Sequence, residues 1–144
     1  MLEMTNKVLS GYDSLEDAFP VVDPGVTPLG SRVLCQIRLA KTKTKGGIIL
    51  TQEAVETDQW NTQIAKVVTC GQLAFRNRTT AEKWPEGDWV APGDFVRVPK
   101  YGGDKWTVNI ERDGEQAEII FVIFNDLDLI GKVSGDPLAM RAFF

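Results

Sequence analysis

Residues 106–124 read WTVNIERDGEQAEIIFVIF, and this stretch decides the fold class. Its first part, Trp106–Ile110, alternates between apolar and polar residues, as a strand with one buried face does. The Asp113-Gly114 pair that follows is a strong signal for a tight turn between two antiparallel strands. Residues 118–124 are apolar on both faces, except at Glu118, which favours a central strand. The stretch therefore predicts a β-hairpin whose second strand lies inside a sheet.

Stretches on both sides of this hairpin have the same character. Residues 32–39 alternate between apolar odd positions and mostly polar even positions, including Gln36 and Arg38, which predicts a strand buried on one face. No βαβ alternation, internal repeat or long amphipathic helix accompanies it. The predicted fold class is therefore all-β, a small irregular antiparallel β-barrel. The further strands are predicted at 65–70, at 94–98 and, after a short turn, within 126–133.

The composition is that of an ordinary globular domain and argues against several kinds of function. The 144 residues include Lys+Arg 16, Asp+Glu 20 and no histidine, the side chain that most often carries acid–base catalysis near neutral pH. We therefore expect no enzymatic activity and no cofactor. The longest apolar run, residues 119–124, is far shorter than the ~20 residues of a membrane span. These features predict a cytoplasmic protein that does not contact a membrane.

Metal binding is not expected either. The two cysteines, Cys35 and Cys70, lack the spacing of a zinc site and are interpreted as buried free thiols. Asp126 and Asp128 resemble the start of a calcium loop, but the positions that must supply further oxygen ligands hold other residues. Those positions are occupied by Ile130 and Pro137.

The charge distribution divides the chain into three parts. Residues 1–25 contain five acidic residues and one lysine, so this segment accounts for the whole net charge of −4. The predicted organisation is an acidic N-terminal extension at 1–25, a barrel domain at 26–133 and a C-terminal tail at 134–144. We expect the extension to lie outside the folding unit. The neutral body argues against nucleic-acid binding.

Two long connections do not fit a barrel strand, and connections of this length are usually functional. The first, residues 40–50, reads AKTKTKGGIIL: a polar lysine-rich part, two glycines and an aliphatic triplet. That order is typical of a segment that folds when it meets an apolar groove. A turn leading into a buried strand is the plain alternative, and a phosphate-binding glycine loop lacks its usual motif. The second connection is the charged and turn-rich segment 71–90.

The order of these pieces resembles the small co-chaperonins of the GroES type. The resemblance covers roughly residues 27–133, and the Gly46-Gly47 pair followed by Ile48-Ile49-Leu50 is its most specific part. The other matching pieces, in chain order, are Pro28-Leu29-Gly30, Ala65–Gly71, Pro92–Val96, Lys100–Gly103 and Asp126–Gly131.

This resemblance implies a function for each region. Such proteins form a seven-membered ring that caps a double-ring chaperonin of the GroEL type and encloses unfolded client proteins, while the chaperonin binds ATP. The mobile loop would be residues 41–51, the 71–90 segment would be the roof hairpin and Tyr101 would face the chamber. The implied chaperonin-binding residues are Lys43, Thr44, Lys45, Gly46, Gly47, Ile48, Ile49 and Leu50. The implied subunit interface joins Thr27, Pro28 and Leu29 to Leu129, Ile130, Gly131, Lys132 and Val133 of the neighbour.

Departures from the family pattern include Ser31, Ala65 and the basic residues Lys41 and Lys45. Together with a long 71–90 segment, they favour a divergent, virus-encoded version acting in the host cytoplasm. Two alternatives stay open from the sequence. One is a structural β-barrel module of a viral particle, and the other is a barrel that stacks single-stranded nucleic acid on its aromatic side chains.

Overall fold

The computed structural model describes residues 14–39, 63–112 and 114–138. The strands are β1 Arg32–Ile37, β2 Ile64–Cys70, β3 Phe95–Arg97, β4 Asp104–Arg112, β5 Glu115–Asn125 and β6 Gly131–Lys132. They form one antiparallel sheet in the order β4-β5-β1-β2-β3-β6. A short helix α1, Leu15–Ala18, precedes the sheet, and a 3-10 helix, Asp126–Asp128, joins β5 to β6. This confirms the predicted antiparallel all-β class.

Strands β4 and β5 form the predicted hairpin. Their register pairs Trp106 with Phe121 and Arg112 with Glu115, which leaves two residues between the strands. Gly114 has a φ of +80°, the left-handed conformation that such tight turns require and that glycine adopts without steric strain. The local sequence signal is therefore sufficient to set this hairpin.

Strand β1 differs from its prediction in one respect. The even positions were expected on a solvent face, but Gln36 and Arg38 are each 4% exposed. Leu34, also at an even position, is completely buried with Ile119 and Phe121. The expectation of one buried face is wrong because segments from both ends of the described chain lie over the second face.

One of these covering segments precedes the sheet. Ala18 and Phe19 are buried in a small cluster with Ile64 and Leu138. The N-terminal segment also accepts two side-chain hydrogen bonds from the sheet: Gln36 Nε2 donates to the Pro20 carbonyl at 2.7 Å, and Trp106 Nε1 donates to the Pro24 carbonyl at 2.8 Å. The expectation that residues 1–25 lie outside the folding unit is wrong for residues 14–24. The domain boundaries themselves stay a prediction.

The larger core lies on the other face of the sheet. It contains the odd residues of β1 and the even residues Ile120, Val122 and Phe124 of β5. The 71–90 segment adds the buried side chains of Ala74, Phe75 and Val90 to the same cluster, and its tryptophans pack against it. A segment without a long strand of its own thus completes the main core.

The two cysteines are free, as predicted, although only Cys35 is fully buried and Cys70 is partly exposed. Burial raises the pKa of the Cys35 thiol to about 12, so it stays protonated and unreactive near neutral pH. Within the three described ranges, the structure contains no helix that is both long and apolar enough to cross a membrane.

Candidate functional site

The two ends of the segment that contains the aliphatic triplet are held together by the sheet. We call the residues at these ends, Arg38, Leu39, Gln63 and Ile64, the stem. The Arg38 amide donates to the Ile64 carbonyl at 2.9 Å. Gln63 is fixed to the strand beside it, because its carbonyl accepts from the Val98 amide at 2.9 Å and its Nε2 donates to the Val98 carbonyl at 3.2 Å. The chain is therefore held by hydrogen bonds on both sides of the segment 40–62.

The predicted chaperonin-binding residues Lys43, Thr44, Lys45, Gly46, Gly47, Ile48, Ile49 and Leu50 lie outside the described residues. The same holds for the rest of the predicted loop at 41–51.

The predicted subunit-interface residues form two separate sets on the subunit. Leu29 is 72% exposed just before β1, whereas Pro28 is buried. Ile130 is 60% exposed beside β6, whose two residues pair with Val96 and Arg97 of β3. The first set precedes β1, which lies inside the sheet, and the second set contains β6, which lies at one end of it. The two sets therefore do not pair with each other within one subunit. Each set presents one large aliphatic side chain to solvent.

Tyr101 is presented by a tight turn. Its side chain is 76% exposed, and the Lys100 ammonium lies 5.6 Å from the centre of its ring. The next two residues, Gly102 and Gly103, both have positive φ. A Cβ on Gly103 would lie 2.6 Å from Val122 Cγ2, so only glycine allows the turn to pack this closely on β5. The turn thus holds Tyr101 at the surface, three residues before β4 begins.

The 71–90 segment is anchored by one buried carboxylate. Asp126 is completely buried, and its Oδ2 accepts from the Phe75 amide at 2.7 Å. Its Oδ1 accepts from the Arg78 guanidinium and from the Leu127 amide, both at 2.8 Å. Phe75 has a φ of +63°, a strained conformation for a residue other than glycine. The hydrogen bond to Asp126 and the burial of the Phe75 ring hold the backbone in that conformation.

Aromatic packing and one close backbone contact complete the anchoring. The Phe75 and Trp89 ring centres are 5.5 Å apart, and Trp84 stacks on Trp89 at 6.1 Å with an interplanar angle of 10°. Where the segment begins, a Cβ on Gly71 would clash with the backbone of Gly30. Only glycine therefore allows the chain to pass this close to the residues that precede β1. The base of the segment is consequently part of the main core.

A surface ion pair connects the end of this segment to β6. Lys132 Nζ lies 3.4 Å from Asp94 Oδ2, which also accepts from the Ala91 amide at 2.9 Å. The hydrogen bond from Ala91 and the Lys132 ammonium hold the pKa of the Asp94 carboxyl below its usual value. Lys132, a predicted interface residue, is thus placed by the turn that closes the 71–90 segment.

A match to a known protein family decides the family of this chain. Residues 25–133 match the family described as "Chaperonin 10 Kd subunit". The chain belongs to this family. It is a co-chaperonin of the GroES type, and such co-chaperonins are not enzymes.

Similar proteins come from bacteria and from mitochondria. The co-chaperonin GroES of Methylacidiphilum infernorum is 32% identical over 115 residues, which cover 80% of this chain and 100% of the relative. GroES of Thermus thermophilus is 37% identical over 105 residues, covering 73% of this chain and 88% of the relative. The mitochondrial 10 kDa heat shock protein of Saccharomyces cerevisiae is 30% identical over 111 residues, covering 77% and 91%. A viral origin is not shown and stays a prediction.

Sequence reasoning missed two features of this co-chaperonin. The sequence offered Asp126 only as a rejected calcium ligand and as part of the matching piece Asp126–Gly131. Its role as the acceptor for the 71–90 segment had no local signal, because its partners in that segment lie about 50 residues earlier. The second is the covering of the stem by residues 14–24 and 134–138, which lie outside the matched region. For this second feature, the available signal was the large apolar residue Phe19 inside the predicted N-terminal extension.

Proposed function

We propose that this co-chaperonin assembles into a seven-membered ring that caps a double-ring chaperonin of the GroEL type. Residues 41–51 form the binding loop, and Ile48, Ile49 and Leu50 are its apolar anchor. Client proteins are enclosed in the cytoplasm, or in the host cytoplasm if the chain is virus-encoded, and the chaperonin binds and hydrolyses the ATP. The observation that carries this proposal is the stem of a family-matched chain, in which the Arg38–Ile64 hydrogen bond joins the two ends of the segment that contains the triplet.

The affinity of such a cap depends on the number of loops. Burial of the aliphatic triplet favours docking, whereas ordering of the glycine-containing loop opposes it. One loop therefore binds weakly. Seven loops on one ring make every contact after the first intramolecular, which multiplies the overall affinity. Weak single contacts also allow the whole cap to be released when the chaperonin changes conformation.

The exposed aliphatic residues support the ring interface. We propose that Thr27, Pro28 and Leu29 of one subunit meet the strand at 129–133 of the next. Leu29 and Ile130 are then covered by apolar contacts in the ring, which accounts for two large side chains exposed on a single subunit. Gly131 and Lys132 present the outer edge of β6 to the neighbour, and Tyr101 faces the chamber.

The experiment is a native mass measurement with and without a double-ring chaperonin and nucleotide. Seven chains of 16.0 kDa predict a ring of about 112 kDa that moves onto the chaperonin when nucleotide is present. A protein that stays monomeric contradicts the ring. A ring that does not bind the chaperonin contradicts capping. The alternatives are then the structural module of a viral particle and the nucleic-acid-binding barrel.

Ile49→Asp tests the loop directly. This substitution should abolish capping and leave the ring intact, because a charged side chain cannot be buried in an apolar groove without a large desolvation penalty. Gln52→Asp is the matched control, since it adds the same charge just beyond the proposed loop. Loss of the ring in Ile49→Asp would show that Ile49 belongs to the core.

A further inference from the structure

The two terminal segments outside the family-matched region converge on the stem. The Phe19 ring lies 5.0 Å from the Phe95 ring, and Phe19 is 2% exposed. Leu138, from the opposite end of the chain, is buried in the same cluster. Ile64, a stem residue, belongs to this cluster as well and is completely buried. Residues from both termini therefore enclose one side of the stem.

Each terminal segment also makes a hydrogen bond to the other side of the stem. The Leu39 amide donates to the Ala18 carbonyl at 2.8 Å. The Arg38 guanidinium donates to the Pro137 carbonyl at 2.9 Å, a contact between residues 99 positions apart. Leu39 comes two residues before the proposed loop, and its hydrogen bond to Ala18 fixes the chain at that position.

We propose that residues 15–20 and 136–138, which we call the terminal clamp, fix the stem and thereby raise the affinity of the loop for the chaperonin. This inference rests on the proposed function. Its physical reason is conformational entropy: residues that are already fixed in the free ring lose no backbone freedom on docking. Phe19 and Leu138 are then positioning residues that act on the chaperonin through the stem.

The clamp is an addition to the family barrel. The matched region, 25–133, includes the whole stem but neither part of the clamp. The stem is already paired by the Arg38–Ile64 hydrogen bond, so the clamp is not needed to close it. Its effect is to hold the two residues at which that pairing would otherwise fray, because terminal hydrogen bonds open most easily.

Hydrogen exchange of the full-length ring tests the clamp without any partner. Phe19→Ala should speed exchange of the Leu39 amide by about tenfold or more relative to Phe124→Ala. Phe124 is the matched control, because it is 3% exposed and pairs with Val33 at the opposite end of β1. Equal exchange of the Leu39 amide in both variants would overturn the clamp. If either alanine variant fails to fold, Leu138→Ala against Val90→Ala replaces the pair, since both side chains are 7% exposed.

Chaperonin affinity, measured with nucleotide on the same rings, tests the consequence. The clamp variant should bind about tenfold or more weakly than its control at equal loss of thermal stability. Equal affinities would overturn the link between clamp and loop. If the unsubstituted ring does not bind the chaperonin, the proposed function fails, and the Leu39 exchange rates still decide whether the clamp exists.

Discussion

The 71–90 segment and the N-terminal segment 14–24 both lie against the sheet, but they are fixed in different ways. Besides its aromatic packing, the first segment has its polar side-chain anchor in one buried group, Asp126, which accepts from the Phe75 amide and the Arg78 guanidinium. The second segment offers three separate backbone carbonyls, those of Ala18, Pro20 and Pro24, to donors on or next to the sheet. The comparison teaches that the polar anchoring of a segment to side chains can be concentrated in one group or distributed over several. Single substitutions should therefore affect the two segments very differently.

The largest effect is expected from Asp126→Ala. It leaves the buried Phe75 amide without its acceptor, which costs about 1–3 kcal/mol, and the part-buried Leu127 amide also loses its partner. Because Arg78 is 45% exposed, water compensates that guanidinium, and the ion pair adds little. The free energy of unfolding should fall by about 2–4 kcal/mol in urea denaturation.

Asp128→Ala is the control for this substitution. Asp128 lies in the same 3-10 helix and is exposed, so its removal should change the unfolding free energy by no more than about 0.5 kcal/mol. Similar losses in both variants would mean that the 71–90 segment is not held by the buried carboxylate.

A smaller loss of stability is expected from Gln36→Leu, which removes one of the hydrogen bonds that anchor the N-terminal segment. The leucine fills most of the same volume but leaves the buried Pro20 carbonyl without its donor, which costs about 1–2 kcal/mol. The other hydrogen bonds of the segment remain. Thermal unfolding should show a lower Tm than Gln116→Leu, in which the replaced glutamine is exposed. A loss as large as that of Asp126→Ala would contradict distributed anchoring.

Ala81→Gly sharpens the comparison within the 71–90 segment. Ala81 has a φ of +60°, and glycine relieves the strain of that conformation while adding flexibility to the unfolded chain. The expected net change is a gain of about 0–1 kcal/mol in the free energy of unfolding. Ala91→Gly, at a position without positive φ, should instead lose about 0.5–1 kcal/mol. Destabilisation of equal size in both would show that residue 81 is not strained.

The smallest effect is expected from the partly exposed carboxylate of Asp94. Its pKa is lowered from 3.8 in the folded state, so its contribution to stability is present above that value and is lost as the pH falls through the folded pKa. Asp94→Asn should therefore have a lower Tm than the unsubstituted protein near pH 6, and the difference should shrink below about pH 4. A difference that does not change with pH would show that the ionised form of Asp94 does not contribute to stability.

The sequence alone determined the features that depend on neighbouring residues. Alternation from Trp106 and the glycine after Asp113 set the β4–β5 hairpin, because strand faces and tight turns are local properties. The Gly-Gly-aliphatic segment and the order of the motifs indicated the family that the comparisons then showed. The residues proposed to bind the chaperonin come from the same local pattern.

Only the tertiary structure decided which polar residues are buried. Gln36 and Arg38 look like solvent-facing positions of an alternating strand, and Asp126 looks like part of a surface turn. All three are buried, because carbonyls and amides that are distant in sequence supply their hydrogen-bond partners. A buried polar group is stable only where such a partner is present, and periodicity carries no information about partners that lie 16, 51 or 99 residues away.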